Sequence, residues 1–166
     1  MTNKTGEKLP EYFDNFVEKF LMPRLLENIN DEGGLMPVAF VGSTETKQVG
    51  IVAMAFQNVE EKDACSEVIK EIAQKFQADY VVFVSESWTV PSEHIEEFTN
   101  NRDKYPEVAS FPKKSEVVMI MVDTKTSNWI GMCEIYKGRK LGKPKFMKSH
   151  SAEGRFSNFL PKVLVN

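Results

Sequence analysis

The sequence predicts one α+β domain, residues 1–166, in which two main helices pack on a largely antiparallel sheet of five or six strands to give two layers. Three observations lead to this class. They are two long segments with helical apolar spacing, two pairs of β-rich runs joined by short polar connections, and one further β-rich run between these pairs. Helices and strands do not alternate regularly, so a doubly wound parallel sheet is not expected. We expect both helices on the same face of the sheet.

Both main helices are predicted from apolar spacing and from the residues at their starts. The first spans residues 10–29, and Pro10 suits a first turn, where a missing N–H costs no hydrogen bond. Pro23 lies in the middle of this helix and lacks an N–H, so a kink or a break is expected there. The second helix begins at Asn58, a preferred cap residue that Glu61 follows three positions later.

The strands are predicted from short β-rich runs bounded by polar turns. The run ADYVVFVSESW is apolar throughout its centre, which is typical of a central strand. The polar connection over residues 101–114 is longer than most loops in compact domains, and loops of that length are often functional. The predicted strands are residues 36–42 and 49–56 in one hairpin, 78–88 in the centre, 116–123 and 129–136 in a second hairpin, and a short strand at about 145–148.

Charge is distributed unevenly along the chain. Residues 137–166 carry eight Lys and Arg against one acidic residue, whereas the remainder carries 13 basic and 23 acidic residues. Such an irregular basic segment either binds a polyanion or folds back onto the acidic remainder. Nucleic-acid contact is the less favoured reading, because the whole chain is acidic and carries no nucleic-acid-binding motif. The basic candidates are Lys137, Arg139, Lys140, Lys143, Lys145, Lys148 and Arg155.

The compartment is predicted from what the sequence contains and lacks. The start of the chain has no apolar stretch typical of a signal peptide, and no apolar run reaches the length of a membrane span. Cys65 and Cys133 lie within apolar segments, so we expect reduced core residues and a cytoplasmic location. Because phosphate-loop, dinucleotide, nucleophile-elbow and zinc motifs are all missing, no cofactor or metal is predicted.

Glu86 and Glu116 are the acidic residues of the predicted site. Alternation places Glu86 and Trp88 on one face of the central strand, and an antiparallel neighbour would bring Glu116 close to Glu86. Two close carboxylates can bind a divalent cation or divide acid and base roles, because like charges separate their pKa values. Alternatively, both carboxylates lie where strands leave the core, with Lys113 or Lys114 as counter-ions.

Three segments carry a resemblance to other proteins. At ADYVVFVSESW, SEVVMIMVD and GRFSNFLP the chain resembles a loose family of small uncharacterised bacterial and phage proteins. In that family a strand ending in Ser-Glu-x-Trp precedes a loop with Pro and Arg and then a Glu-Val-Val strand, which correspond here to residues 85–88, 102–112 and 116–118. The resemblance implies a bacterial or phage source and joint action of Glu86, Trp88 and Glu116, without implying an activity.

The sequence leaves three functions open. The leading prediction is a non-catalytic cytoplasmic accessory protein, from a phage or bacterium, that binds a protein partner at this end of the sheet. The second is a metal-dependent hydrolase or phosphoesterase that uses Glu86 and Glu116. The third is nucleic-acid binding through the basic segment. The candidate binding residues at the sheet end are Glu86, Trp88, Arg102, Lys113, Lys114 and Glu116.

Overall fold

A computed structural model describes residues 8–29, 34–55, 58–149 and 159–160. The strands are β1 (Val38–Gly42), β2 (Val49–Ala53), β3 (Tyr80–Thr89), β4 (Ser115–Thr124), β5 (Asn128–Tyr136), β6 (Lys140–Leu141) and β7 (Lys145–Ser149). They form one antiparallel sheet in the order β2–β1–β3–β4–β5–β6, and β7 also pairs with β5. This confirms the predicted α+β class, in which an antiparallel sheet carries two main helices. The two-residue strand β6 was not predicted.

The N-terminal helix continues through the position of Pro23. It consists of α1 (Glu11–Asn15), a π-helical segment (Phe16–Leu21) and α2 (Met22–Asn28). At the end of the π-helical segment the N–H of Met22 donates to the carbonyl of Val17, five residues back. Pro23 therefore falls in the first turn of α2, where no N–H is required. A change of helical register thus takes the place of the expected kink or break.

The second main helix, α3 (Val59–Lys75), begins with the predicted cap. The Oδ1 atom of Asn58 accepts a hydrogen bond of 2.8 Å from the N–H of Glu61. Toward the sheet α3 buries Ile69 and Ala73. In the described part of the chain, none of the helices has the length and apolar character needed to cross a membrane.

The two main helices lie on opposite faces of the sheet, whereas we expected them on one face. The N-terminal helix packs on the face that carries Tyr80 and Val82 of β3, and we call this face the N-terminal-helix face. The other face, the α3 face, carries Val81 and Phe83 of the same strand. Because both faces are covered, β3 is buried from Tyr80 to Val84, which explains its continuous apolar run.

The long connection between β3 and β4 is anchored by its own aromatic side chains. It contains α4 (Ile95–Asn100), and Phe98 of this helix packs against the fully buried ring of Phe111 with 5.2 Å between ring centroids. Tyr105 packs against Phe111 from another side, at 5.3 Å. Most of this segment is therefore held as a small satellite core and not as an open loop.

Candidate functional site

Glu86 and Glu116 lie on adjacent strands and share the N-terminal-helix face. The antiparallel pairing of β3 and β4 sets Glu86 opposite Val118 and Trp88 opposite Glu116. The two carboxylates are therefore diagonal neighbours on one face, two positions apart in the register. Alternation along the central strand was enough to place Glu86 and Trp88 together, and the pairing adds Glu116.

The side chain of Arg139 lies between the two carboxylates. One end of its guanidinium contacts Glu86, and Nη1 lies 3.6 Å from Oε2 of Glu116. Its Nε atom donates a hydrogen bond of 2.8 Å to the carbonyl of Ile29 at the end of α2. The N–H of Leu35 donates to Oε1 of Glu86 at 2.9 Å. We call Glu86, Arg139, Glu116, Ile29 and Leu35 the Arg139 junction, because one guanidinium connects the end of the sheet with the end of the helix.

The turn between β5 and β6 delivers Arg139 to this position. Gly138 has a φ of 80° and Arg139 a φ of 58°, so two successive residues adopt the left-handed conformation. Glycine adopts it without strain, whereas for arginine it is uncommon. The contacts of the guanidinium offset that cost, which indicates that the turn and the junction stabilise each other.

The junction leaves little room for a metal ion between the carboxylates. The Glu86 side chain is only 25% exposed, and two donors, Arg139 and the N–H of Leu35, already occupy its Oε1 atom. A cation bound between Glu86 and Glu116 would have to displace the guanidinium. Within the described ranges, no three His, Cys, Asp or Glu side chains group closely enough to hold a metal ion.

Trp88 is the most accessible of the predicted site residues on β3. It is 48% exposed, and Nζ of Lys114 lies 5.7 Å from the centroid of its ring. Glu116, directly opposite on β4, is also exposed and lines a small cavity of about 250 Å³ with Thr89 and Tyr136. This end of the sheet is therefore a shallow mixed surface, not a deep site.

Arg102 and Lys113 make their contacts away from Glu86. The guanidinium of Arg102 lies 4.7 Å from the centroid of the Phe98 ring and donates to the carbonyl of Pro106 at 2.8 Å. Nζ of Lys113 lies 2.7 Å from Oε2 of Glu97. This hydrogen bond is the main reason why the pKa of Glu97 is lowered. Both cations thus stabilise the loop that carries them.

Two basic residues of the described part of the C-terminal segment, Lys145 and Lys148, lie on opposite faces of the sheet. Lys148 lies opposite Trp129 on the N-terminal-helix face, with Nζ 5.9 Å from the ring centroid, whereas Lys145 projects from the α3 face. Arg139 is part of the junction, and Arg155 lies outside the described residues. The described basic residues therefore do not form one stripe. Lys137, Lys140 and Lys143 are solvent-exposed.

An open apolar groove of about 780 Å³ lies between the N-terminal helix and the β1–β2 side of the sheet. Leu21 and Leu25 line it from the helix, Phe40 from β1 and Ile51 from β2. Residues 34–37 form a further part of its wall. We call this cavity the β2 groove; it was not predicted from the sequence.

The strand beside the groove is an open edge of the sheet. In the described part of the chain β2 pairs with β1 only, and its five residues, VGIVA, carry no charge. Ile51, which lines the groove, is 61% exposed, and Val49, on the same face of the sheet, is 40% exposed. Backbone N–H and C=O groups of β2 that have no strand partner among the described residues therefore lie next to exposed apolar side chains.

The Arg139 junction supports the wall of the groove. Gly34 and Leu35 both line the groove, and the N–H of Leu35 bonds to Glu86. A Cβ atom added to Gly34 would lie 3.4 Å from Oε2 of Glu86, so the wall and the carboxylate are in close contact. Glu86 is thus connected to a larger surface than the sheet end on which the sequence placed it.

The sequence carried only one signal of this surface. The uncharged run VGIVA is compatible with a central strand or an edge strand, and alternation alone does not tell which. A groove depends on how a helix and a strand far apart in the sequence meet, so local patterns do not reveal it.

Comparison of the chain with protein-family models, with curated proteins and with solved structures found no match.

Proposed function

We propose that this protein is a non-catalytic binding protein, and that it accommodates an extended apolar segment of a partner polypeptide along β2. The observation that carries the proposal is the open, uncharged β2 edge beside an apolar groove. Such an edge offers backbone donors and acceptors to an added strand. Side chains of that strand point alternately to the two faces, so every second one enters the β2 groove.

An extended polypeptide fits this surface better than a compact ligand does. A small apolar molecule would fill the groove without using the outward backbone groups of β2. A bound strand satisfies those groups and also buries Ile51 and Met36, which are both exposed. Buried apolar surface contributes about 25 cal/mol per Å², and the backbone bonds fix the register of the segment.

Partner binding is also the class of function predicted from the sequence, but the proposed binding surface is the β2 groove and not the sheet end around Glu86. Glu86, Arg139 and Glu116 act in it as supports of the groove wall, since the junction holds Leu35. Arg139 between the carboxylates counts against a hydrolase that uses them with a metal. The separation of Lys145 and Lys148 onto two faces counts against binding of a nucleic acid along the basic segment.

The proposal includes a cytoplasmic location in a bacterium or a phage-infected cell. Its support is that Cys65 and Cys133 are both free thiols, as is usual in reducing compartments. The bacterial or phage source rests on the resemblance at the Ser-Glu-x-Trp strand end.

A peptide selection tests the proposal. A random library of displayed linear peptides is selected on the full chain, and the enriched peptides are synthesised and titrated. We expect alternating apolar residues in the enriched sequences. Ile51→Lys should weaken their binding about tenfold or more, because a charge on the strand edge opposes pairing and enters the groove. The chain should otherwise fold normally, since Ile51 is 61% exposed.

Ile95→Lys is the matched control. Ile95 is 52% exposed but lies on α4, outside the groove. The proposal is wrong if Ile51→Lys and Ile95→Lys bind the enriched peptides equally, or if the enriched peptides have no alternating pattern. Sedimentation of the free protein decides the competing case, in which β2 pairs with β2 of a second copy of the chain.

A further inference from the structure

We infer that Arg24 makes the β2 groove selective for a segment that carries a carboxylate. This inference rests on the proposed function, because it names the chemistry of the segment that the groove accommodates. Arg24 is the charged residue among the described residues that line the groove, and the other lining residues are apolar or neutral.

The guanidinium of Arg24 is held in place by contacts within the helix. Its Cζ atom lies 3.7 Å from the centroid of the Phe20 ring, and Nη1 donates to the carbonyl of Phe20 at 2.9 Å. One turn further, Nδ2 of Asn28 donates to the carbonyl of Arg24 at 2.7 Å. A cation oriented in this way loses less conformational freedom when it binds an anion.

With respect to the residues that the structure describes, most of the donors of Arg24 stay available to a ligand. A guanidinium has five N–H donors, and the bond to Phe20 uses one of them. Within the described ranges Arg24 forms no ion pair with a carboxylate, whereas Arg139 forms two. A carboxylate on the bound segment can therefore accept two parallel bonds from Arg24.

A pair of fluorescent probes tests this inference. Anilinonaphthalene sulfonate carries an apolar ring system and an anionic group, and N-phenyl-1-naphthylamine carries the same ring system without the charge. We expect Arg24→Gln to weaken binding of the sulfonate about threefold to tenfold and to leave binding of the neutral probe unchanged. Added salt should weaken binding of the sulfonate to the unmodified chain and have little effect on Arg24→Gln.

Arg102→Gln is the matched control. Arg102 also stacks on a phenylalanine ring and also donates to a backbone carbonyl, but it lies in the loop after α4. Substitution of Arg102 should change neither affinity. The inference is wrong if Arg24→Gln leaves the affinity for the sulfonate unchanged or weakens both probes equally.

A peptide comparison tests the polypeptide source of the carboxylate. A peptide enriched in the selection above is synthesised with a free C-terminal carboxylate and with a C-terminal amide. We expect at least one carboxylate-bearing form to bind more tightly than its neutral counterpart, and only to the chain that retains Arg24. Equal binding of acidic and amidated forms, including Glu→Gln versions of any acidic position, would overturn the inference. If neither probe nor peptide binding responds to Ile51→Lys, the proposed function itself fails, which is a distinguishable result.

Discussion

The two edges of the sheet differ in charge and in regularity. On one edge β2 is uncharged, its apolar side chains Val49 and Ile51 are exposed, and Ile51 lines a groove. On the other edge β6 has only two residues, and β7 carries Lys145 and Lys148. Short edge strands and lysines are common means of preventing association through an edge. Among the described residues one edge is thus protected and the other is open, and a partner strand is expected at the open one.

Two glycines, Gly131 on β5 and Gly50 on β2, differ in the space around them. The ring of Phe146 in β7 lies so close to Gly131 that an added Cβ atom would meet it at 2.4 Å. An added Cβ atom on Gly50 of β2 would find its nearest neighbour, the carbonyl of Val41, at 3.7 Å. The surroundings of Gly131 are thus closely packed, whereas Gly50 has free space beside it.

The largest expected effect is on stability, at the closely packed Gly131. Gly131→Ala should lower the free energy of unfolding by about 1–3 kcal/mol, because Phe146 has to move away from the new methyl group. Gly50→Ala is the matched substitution on β2 and should stay within about 0.5 kcal/mol of the unmodified chain. Urea unfolding of both variants measures the difference. Equal destabilisation would contradict the described difference in packing.

The Arg139 junction should have the next largest effect. Arg139→Gln removes the contacts with Glu86, Glu116 and the carbonyl of Ile29. Because Arg139 and Glu86 are partly buried, we expect a loss of about 1–2 kcal/mol in the free energy of unfolding. Arg102→Gln, in an exposed loop, should cost less than about 0.5 kcal/mol. If both variants unfold at the same urea concentration, Arg139 does not connect the helix to the sheet.

Cys133 reports on the strand next to the charged edge. It is fully buried on β5, and burial raises the pKa of its thiol to about 11. In the folded protein at pH 8 we expect it to react with a thiol reagent about tenfold more slowly than partly exposed Cys65, since the thiolate is the reactive form. Mass spectrometry of labelled peptides measures both rates, and faster labelling of Cys133 would show that this side of the sheet opens.

The raised pKa of Cys133 also predicts the direction in which the free energy of unfolding changes with pH. Above the ordinary pKa of a thiol, the unfolded chain releases the proton of Cys133 before the folded chain does. The contribution of this group to stability therefore falls as the pH rises from that value toward 11. Cys133→Ala should reduce the fall in unfolding free energy over this range, and an unchanged slope would contradict the assignment.

The smallest expected effect is on association at the charged edge. Lys145→Val removes one of the charges that protect β7, so we expect a small increase in self-association at high protein concentration. Lys62→Val on α3 is a control in which a lysine outside the sheet is removed. Sedimentation velocity compares the two variants. An unchanged monomer fraction for Lys145→Val would show that lysine charge is not what protects this edge.

The sequence predicted those parts of the fold that depend on local patterns. The cap at Asn58, the α3 stripe, the alternation along β3 and the hairpin between β4 and β5 all follow from residues close in the chain. The interruption expected at Pro23 appeared as a π-helical segment, because a helix can absorb a missing N–H by a change of register.

Contacts between distant residues could not be predicted in this way. Arg139 and Ile29 are 110 positions apart, and no local pattern relates them. Both main helices show one apolar stripe each, which does not say which face of the sheet each stripe covers. The edge position of β2 and the β2 groove depend on the same long-range arrangement. For the candidate site, therefore, Glu86, Trp88 and Glu116 were grouped from the sequence, while the role of Arg139 was not.

The most direct test of the open edge is amide hydrogen exchange with and without an enriched peptide. We predict that the peptide slows exchange in β2, residues Val49–Ala53, because a bound strand gives their outward N–H groups acceptors. Exchange in β7, residues Lys145–Ser149, should not change. Unchanged exchange in β2, or protection confined to β7, would contradict the claim that the uncharged edge is the binding surface.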